Sequence, residues 1–201
     1  MNRLLAALFP IALVVPAALL AQASPEPAAV KAGTYAIEPA HTLVQFGVNH
    51  FGFNNFFGTF PNASGSLTLD PKALASAKLD VSIPVDRVST TNATLDGELK
   101  SADWFDAAKY PTIRFVSTQV TQTGARTARI TGTVTMHGVS KPMTLNATFG
   151  GAGVNPMSKT FTAGFQATGT LNRSDFGVTK YVPMVSDAVT LNITAAFEQK
   201  Q

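Results

Sequence analysis

The chain has 201 residues, a formal net charge of +3, 45% hydrophobic residues and no cysteine. That length suits one domain with a sufficient core, and the lack of cysteine excludes thiol catalysis, thiolate metal sites and disulfide support. So small a charge, with no cluster of Lys and Arg, offers no footprint for nucleic acid.

Arg3 gives a positive start, and Leu4 to Leu20 form an apolar run interrupted by Pro10 and Pro16. Ala21-Gln22-Ala23 follows as a small-x-small cleavage signal. This pattern predicts a signal peptide over 1–23 and a periplasmic or secreted mature protein starting at Ser24. The rival reading is an uncleaved anchor, for which the run is short. Residues 24–33 are rich in Pro and Ala and are expected to be a flexible leader. The folded domain is expected over 34–199.

Strand patterns follow. Tyr35 and Ile37 predict a short first strand, and Val44 to His50 a second, with Thr42, Val44, Phe46, Val48 and His50 on one face. Five phenylalanines come next within ten residues: Phe51, Phe53, Phe56, Phe57 and Phe60. Gly and Asn between them supply turn geometry. So much aromatic surface is expected to be buried, either plugging a β core or lining the mouth of an apolar cavity. The residues alone leave both open.

Leu67 and Leu69 alternate up to an Asp70-Pro71 turn. Leu79, Val81 and Ile83 alternate up to Pro84, which marks an edge, a bulge or a strand end. Residues 89–109 lack alternation and predict short helical turns near 92–107, with Ser101 capping a turn that brings Trp104 and Phe105 inward. From Ile113 and Phe115 the apolar parity shifts to Val116 and Val120, which predicts a bulge near Phe115. Ile130, Val134 and Met136 form the next inward row, and His137-Gly138 a turn. Met143, Leu145, Ala147 and Phe149 form another, followed by a loop at Gly150, Gly151 and Gly153. Phe161 to Leu171 and Val189 to Phe197 alternate likewise around a long loop over 172–183. The fold class is therefore all-β. An antiparallel sheet of about eight strands closes into a barrel with room for side chains or one small ligand. A two-sheet sandwich fits the periodicity nearly as well.

Seven short stretches, in order, resemble the YceI-like family of exported, lipocalin-like β-barrels that bind polyisoprenoid or other long apolar ligands. They are Tyr35-Ala-Ile-Glu-Pro-Ala-His41-Thr, Phe46-Gly-Val-Asn-His50, Gly58-Thr-Phe60, Leu99-Lys-Ser-Ala-Asp-Trp-Phe-Asp106, Tyr110-Pro-Thr-Ile-Arg-Phe115, Gly132-Thr-Val-Thr-Met-His-Gly-Val-Ser-Lys-Pro142 and Asn172-Arg-Ser-Asp-Phe-Gly177. Glu38 and Thr42 stand where the family pattern usually has Asp and Ser. The resemblance implies a hydrophobic tunnel and no agreed catalytic residues. It turns the aromatic stretch toward the cavity reading. Candidate ligand contacts are then Phe46, Val48, His50, Phe51, Phe53, Phe56, Phe57, Phe60, Trp104, Phe105, Met136, Phe149, Phe165, Arg173 and Phe176.

His41, His50 and His137 are the only histidines. Nine residues separate the first two, so a regular strand turns them to opposite faces and no shared metal is expected. His50 is a candidate polar contact for a ligand head group. Arg173 is another, for a diphosphate or carboxylate, with Lys141 and Lys180 able to substitute. Arg114 and Asp175 read as surface charge. No G-x-S-x-G elbow and no H-E-x-x-H motif is present. The expected function is an exported carrier of one long-chain apolar small molecule, such as an isoprenoid quinone, polyprenyl phosphate or fatty amide, with no cofactor, no metal and no nucleic acid. Transient membrane contact and a homodimer are further expectations. The alternatives are a periplasmic enzyme using His50 and Asp175 as acid and base, and a ligand-free envelope stress protein with a filled core.

Overall fold

The structure, a computed structural model, describes residues 23–200. The expected signal peptide lies outside the described residues, save Ala23. Nine antiparallel strands form one sheet: β1 (Gly33–His50), β2 (Asn54–Phe60), β3 (Ser64–Leu69), β4 (Lys78–Pro84), β5 (Thr112–Gln122), β6 (Thr127–Met136), β7 (Val139–Val154), β8 (Phe161–Asn172) and β9 (Ala188–Gln199). A single α-helix, α1 (Ala93–Lys100), and short 3-10 turns complete the described residues. Eight strands close the barrel through a β1–β9 pairing, and β2 is an extra strand on β1. This is the barrel rather than the sandwich.

The first two expected strands are one strand of 18 residues. Its ladder with β9 is interrupted between Glu38 and Leu43. The Glu38 carboxylate accepts the N–H groups of Ala40 (3.0 Å) and His41 (2.8 Å), and His41 Nδ1 lies 2.6 Å away. Within the gap the buried Thr42 hydroxyl accepts the N–H of Ala196 at 3.1 Å. A side chain thus stands in for the missing ladder group, which is how a buried bulge avoids an orphaned donor. The bend lets the first half of β1 pair with β3 and the second half with β2.

Other boundaries also differ from expectation. The bulge on β5 lies between Ser117 and Gln119 rather than near Phe115, so Ile113, Phe115 and Val120 all face inward. The glycines at 150–153 do not form a loop. They continue β7 after a bulge between Phe149 and Gly151. His137-Gly138 is a two-residue hairpin turn in which both residues have positive φ, 51° and 76°, the geometry that matches strand twist. The helix is capped by Asn92, whose Oδ1 accepts from Thr94 N and Leu95 N, while Ser101 closes its C-terminus. Asn92 won because its side chain reaches two free N–H groups at the true helix start.

Residues 24–33 do not hang free. Ser24 and Ala152 exchange two backbone hydrogen bonds, of 2.8 and 2.9 Å, and Val30 is buried. Pro27 and Val30 cover one end of the barrel, so apolar burial holds the segment in place. Tyr35, fully buried, donates its hydroxyl to Lys31 O at 2.5 Å, a further anchor.

Candidate functional site

The alternating strands turn their apolar rows into the barrel, but those side chains do not fill it. A cavity of about 480 Å³ occupies the half near α1, and one of about 220 Å³ the half near Val30. The two share the walls made by Val44, Ile83, Phe115, Leu145 and Ile193. The inward rows expected from β4, β6 and β9 reach one cavity or the other, as do those of β1 apart from Tyr35 and of β8 apart from Phe161, Ala163 and Gly169. Phe149, Phe165 and Phe197 cluster around the smaller one, with ring centroids 5.6 and 5.9 Å apart along the series.

The larger cavity receives Phe46, Val48, His50, Phe51, Phe56, Phe60, Trp104, Phe105, Met136 and Arg173. Phe60 packs at 5.4 Å from Phe46 and 5.6 Å from Phe105, tying β1, β2 and the segment after α1 into one aromatic wall. Three residues of the expected set line neither cavity. Phe53 sits at the β1–β2 turn, 88% exposed, because the turn projects its side chain away from the barrel. Phe57 faces outward on β2 and packs over Gly47, where any Cβ would come within 2.8 Å of its ring. Phe176 is buried in the solid core, its carbonyl accepting from His137 Nδ1 at 2.9 Å.

Sequence reading missed a second group of lining residues. Thr90, Asn92, Leu95, Glu98 and Leu99 come from α1 and its approach, and Val178, Tyr181 and Val185 from the loop before β9. Neither segment alternates. The available signal was the N-cap Asn92 with Leu95 and Leu99 one turn apart, which puts both leucines on one helix face.

Arg173 lines the larger cavity while only 5% exposed. Its guanidinium donates to four backbone carbonyls: Nε to Ser186 (3.0 Å), Nη1 to Val178 (3.0 Å) and Lys180 (2.8 Å), Nη2 to Val185 (2.8 Å). It lies 5.5 Å from the Trp104 ring. Burial pushes its pKa below the ordinary arginine value, with Asp187 opposing. Asp187 is itself held below the usual carboxylate range by the hydroxyl and the N–H of Ser174, at 2.7 and 2.8 Å. Arg173 is thus the clamp of the loop that walls the mouth.

The remaining polar groups are dispersed. Lys180 Nζ is held by Asp103 (3.1 Å) and Glu98 (3.4 Å), which raises its pKa, the Asp103 hydrogen bond first. Glu98 also accepts from Trp104 Nε1 at 3.1 Å. Arg114 makes a two-point contact with Asp80 on the outer face, and Lys141 is exposed on β7. His41 points outward to Glu38, His50 lines the mouth, and His137 meets Tyr110 edge-on, ring centroids 4.8 Å apart. Asp175 is exposed and lines neither cavity, so it is not brought to His50. Around the mouth, Phe51, Phe53, Tyr181 and Met184 are 45%, 88%, 47% and 54% exposed, and Phe51 N donates to Met184 O.

The model of the YceI-like domain matches residues 35–197. A UPF0312 protein of Pseudomonas syringae pv. tomato is 38% identical over 164 residues, 82% of this chain and 84% of its own length. A UPF0312 protein of Pseudomonas putida strain GB-1 is 41% identical over 141 residues, 70% of this chain and 73% of its own. The crystal structure of the Campylobacter jejuni YCEI protein is 32% identical with a TM-score of 0.67, covering 76% of this chain and 90% of that one. At the level of fold alone, a polyisoprenoid binding domain from Saccharophagus degradans has a TM-score of 0.61 at 13% identity, covering 83% and 98%. With the domain match running over nearly the whole described chain and relatives of 38% identity, this chain belongs to the YceI-like family.

Proposed function

We propose that this protein is an exported, periplasmic carrier that holds one long apolar molecule along the barrel axis. Isoprenoid quinones, polyprenyl lipids and fatty amides are the classes it suits. The observation that carries this reading is the pair of apolar cavities with five residues of shared wall. A filled-core protein has no use for that space, since interiors normally pack with few voids larger than water. Binding needs little polar chemistry. Each CH₂ taken from water contributes about 0.8 kcal/mol, so an extended chain gains affinity from length alone. The polyisoprenoid binding domain from Saccharophagus degradans shares the architecture, and its low identity lends the fold rather than the ligand. Such a cargo is insoluble and is exchanged where the mouth meets lipid. The exposed Phe51, Phe53, Tyr181 and Met184 suit that contact, since aromatic side chains favour the bilayer interface.

The test is organic extraction of purified protein followed by mass spectrometry, with thermal shift on adding lipids to the stripped protein. A stoichiometric prenyl or acyl compound is the expected result. An empty extract and no shift with any long-chain lipid would overturn the reading.

A further inference from the structure

The end of the barrel away from α1 is only partly covered. Residues 24–32 cross it as a strap, seated on β7 by the Ser24–Ala152 pair and beside β9 by Gln199 Nε2, which donates to Ala32 O at 3.4 Å. Pro27 and Val30 of this strap wall the smaller cavity. The cavity also runs out to the β5–β6 hairpin, where its lining residues Gln122, Gly124, Ala125, Arg126 and Thr127 are all exposed. The barrel thus has a second opening, separate from the mouth at Phe51 and Tyr181. Four polar side chains line the smaller cavity: Thr42, Gln122, Arg126 and Thr127. The Thr42 hydroxyl serves Ala196 N–H, the Thr127 hydroxyl pairs with that of Thr123 at 3.0 Å, and Gln122 Nε2 donates to Gly124 O at 3.0 Å. Arg126 is the only charged residue among them. Its Nε and Nη2 donate to Phe149 O at 3.2 and 2.7 Å, and Nη2 also to Gly150 O at 2.9 Å. These bonds fix the guanidinium 6.0 Å from the Phe149 ring, at the end of the row Phe149, Phe165 and Phe197. Among the described residues, the two N–H groups of Nη1 have no protein partner and no carboxylate pairs with the charge.

We propose that this second opening is a separate binding site for a medium-chain fatty acid, with the alkyl chain in the smaller cavity and the carboxylate on Arg126 Nη1. The site goes beyond the carrier reading and does not rest on it. The smaller cavity holds about 220 Å³. By proportion to a cavity of about 150 Å³ that holds benzene, this takes a chain of roughly nine carbons. A carboxylate accepts hydrogen bonds and carries the charge that a free guanidinium attracts, and a bond between ionised partners is stronger than a neutral one. The two carbonyls already hold the Arg126 side chain, so little further rotamer freedom is lost when an anion docks. The exposure of Arg126 lets the acid exchange with water directly and makes its binding sensitive to salt. The two cavities share five wall residues, so an acid and a cargo long enough to fill both exclude one another.

Hexanoate, octanoate and decanoate are titrated by calorimetry into the stripped protein below their micelle concentrations, with decylammonium as the probe of opposite charge. Binding is expected to tighten about fourfold for each added methylene. Decanoate is expected to bind about tenfold more tightly than decylammonium, and the gap to shrink as salt rises. Arg126→Gln is expected to abolish that preference. Ala167→Phe, which fills the smaller cavity from β8, is expected to abolish decanoate binding with the thermal midpoint retained. Equal binding of decanoate and decylammonium by the parent protein would overturn the site without recourse to any variant. Decanoate binding that survives Ala167→Phe, or no decanoate binding at all, would overturn it as well. The carrier reading is judged separately, by the extraction of long-chain lipid described above.

Discussion

Replacing Arg173 with methionine keeps an apolar stem of similar reach and deletes the guanidinium. Four backbone carbonyls, of Val178, Lys180, Val185 and Ser186, then lose their donor. Hydrogen bonds to a charged group contribute about 1.5–3 kcal/mol each, so a rigid site would lose several times that. Two effects reduce the sum. The variant no longer desolvates a buried cation, and the loop can relax enough for water to reach some carbonyls. A net loss of about 3–5 kcal/mol follows, the range for breaking a buried charge network. Against a whole-domain stability of about 5–15 kcal/mol this is a large fraction. In urea, with a slope of about 2 kcal/mol/M, the midpoint falls by about 1.5–2.5 M. Arg173→Lys retains the charge without the planar fork and is expected to fall between the two. A loss below about 1 kcal/mol for Arg173→Met, with weakened ligand binding, would refute the clamp and make Arg173 a ligand contact instead.

Four further outcomes are expected. Val134→Phe projects into the larger cavity, where Val134 is a wall residue; stability holds or rises by up to about 1 kcal/mol, while the affinity of the stripped protein for a long-chain prenyl alcohol such as farnesol, read by equilibrium dialysis, drops about tenfold or more. Phe53→Ser changes a side chain that lines no cavity, so urea stability stays within about 0.5 kcal/mol and only co-sedimentation with lipid vesicles decreases. Asp187 has a depressed folded-state pKa, so its stabilisation is present above the ordinary carboxylate range and is lost as pH falls through the folded value; urea midpoints from pH 5 to pH 3 should fall less steeply in Asp187→Asn than in the parent. Thr42→Val leaves Ala196 N–H without its acceptor and should cost about 1–3 kcal/mol, read by the same denaturation.

The strand rows were legible because period-two alternation is a local signal. Val44, Phe46 and Val48, or Leu191 and Ile193, announce their shared face without knowing their neighbours. The 18-residue β1 was read as two strands because the bulge around Glu38 and Thr42 breaks parity at its middle. Aromatic content misled at Phe53 and Phe57. Their burial depends on which way a turn and an outer face point, and on a bare Gly47 beneath one ring. Arg173 was placed at the mouth by loop position, and it does line the cavity. That its donors are consumed follows from four carbonyls gathered by the 173–187 turn, an arrangement no linear motif encodes. The helix contribution from Asn92 to Leu99 was blurred by choosing Ser101 as the cap.

The seam of the barrel also sets the order of assembly. Tyr35 stands opposite Gln199, and Gly47 opposite Thr190. No closed wall forms until the final strand is available to seal against the first. A chain released from its N-terminus therefore stays open-sided through most of its emergence, and closure waits on contacts between its most distant parts. Topologies dominated by such contacts fold in about milliseconds to seconds rather than microseconds. That delay leaves the apolar interior open up to the moment the last seam zips.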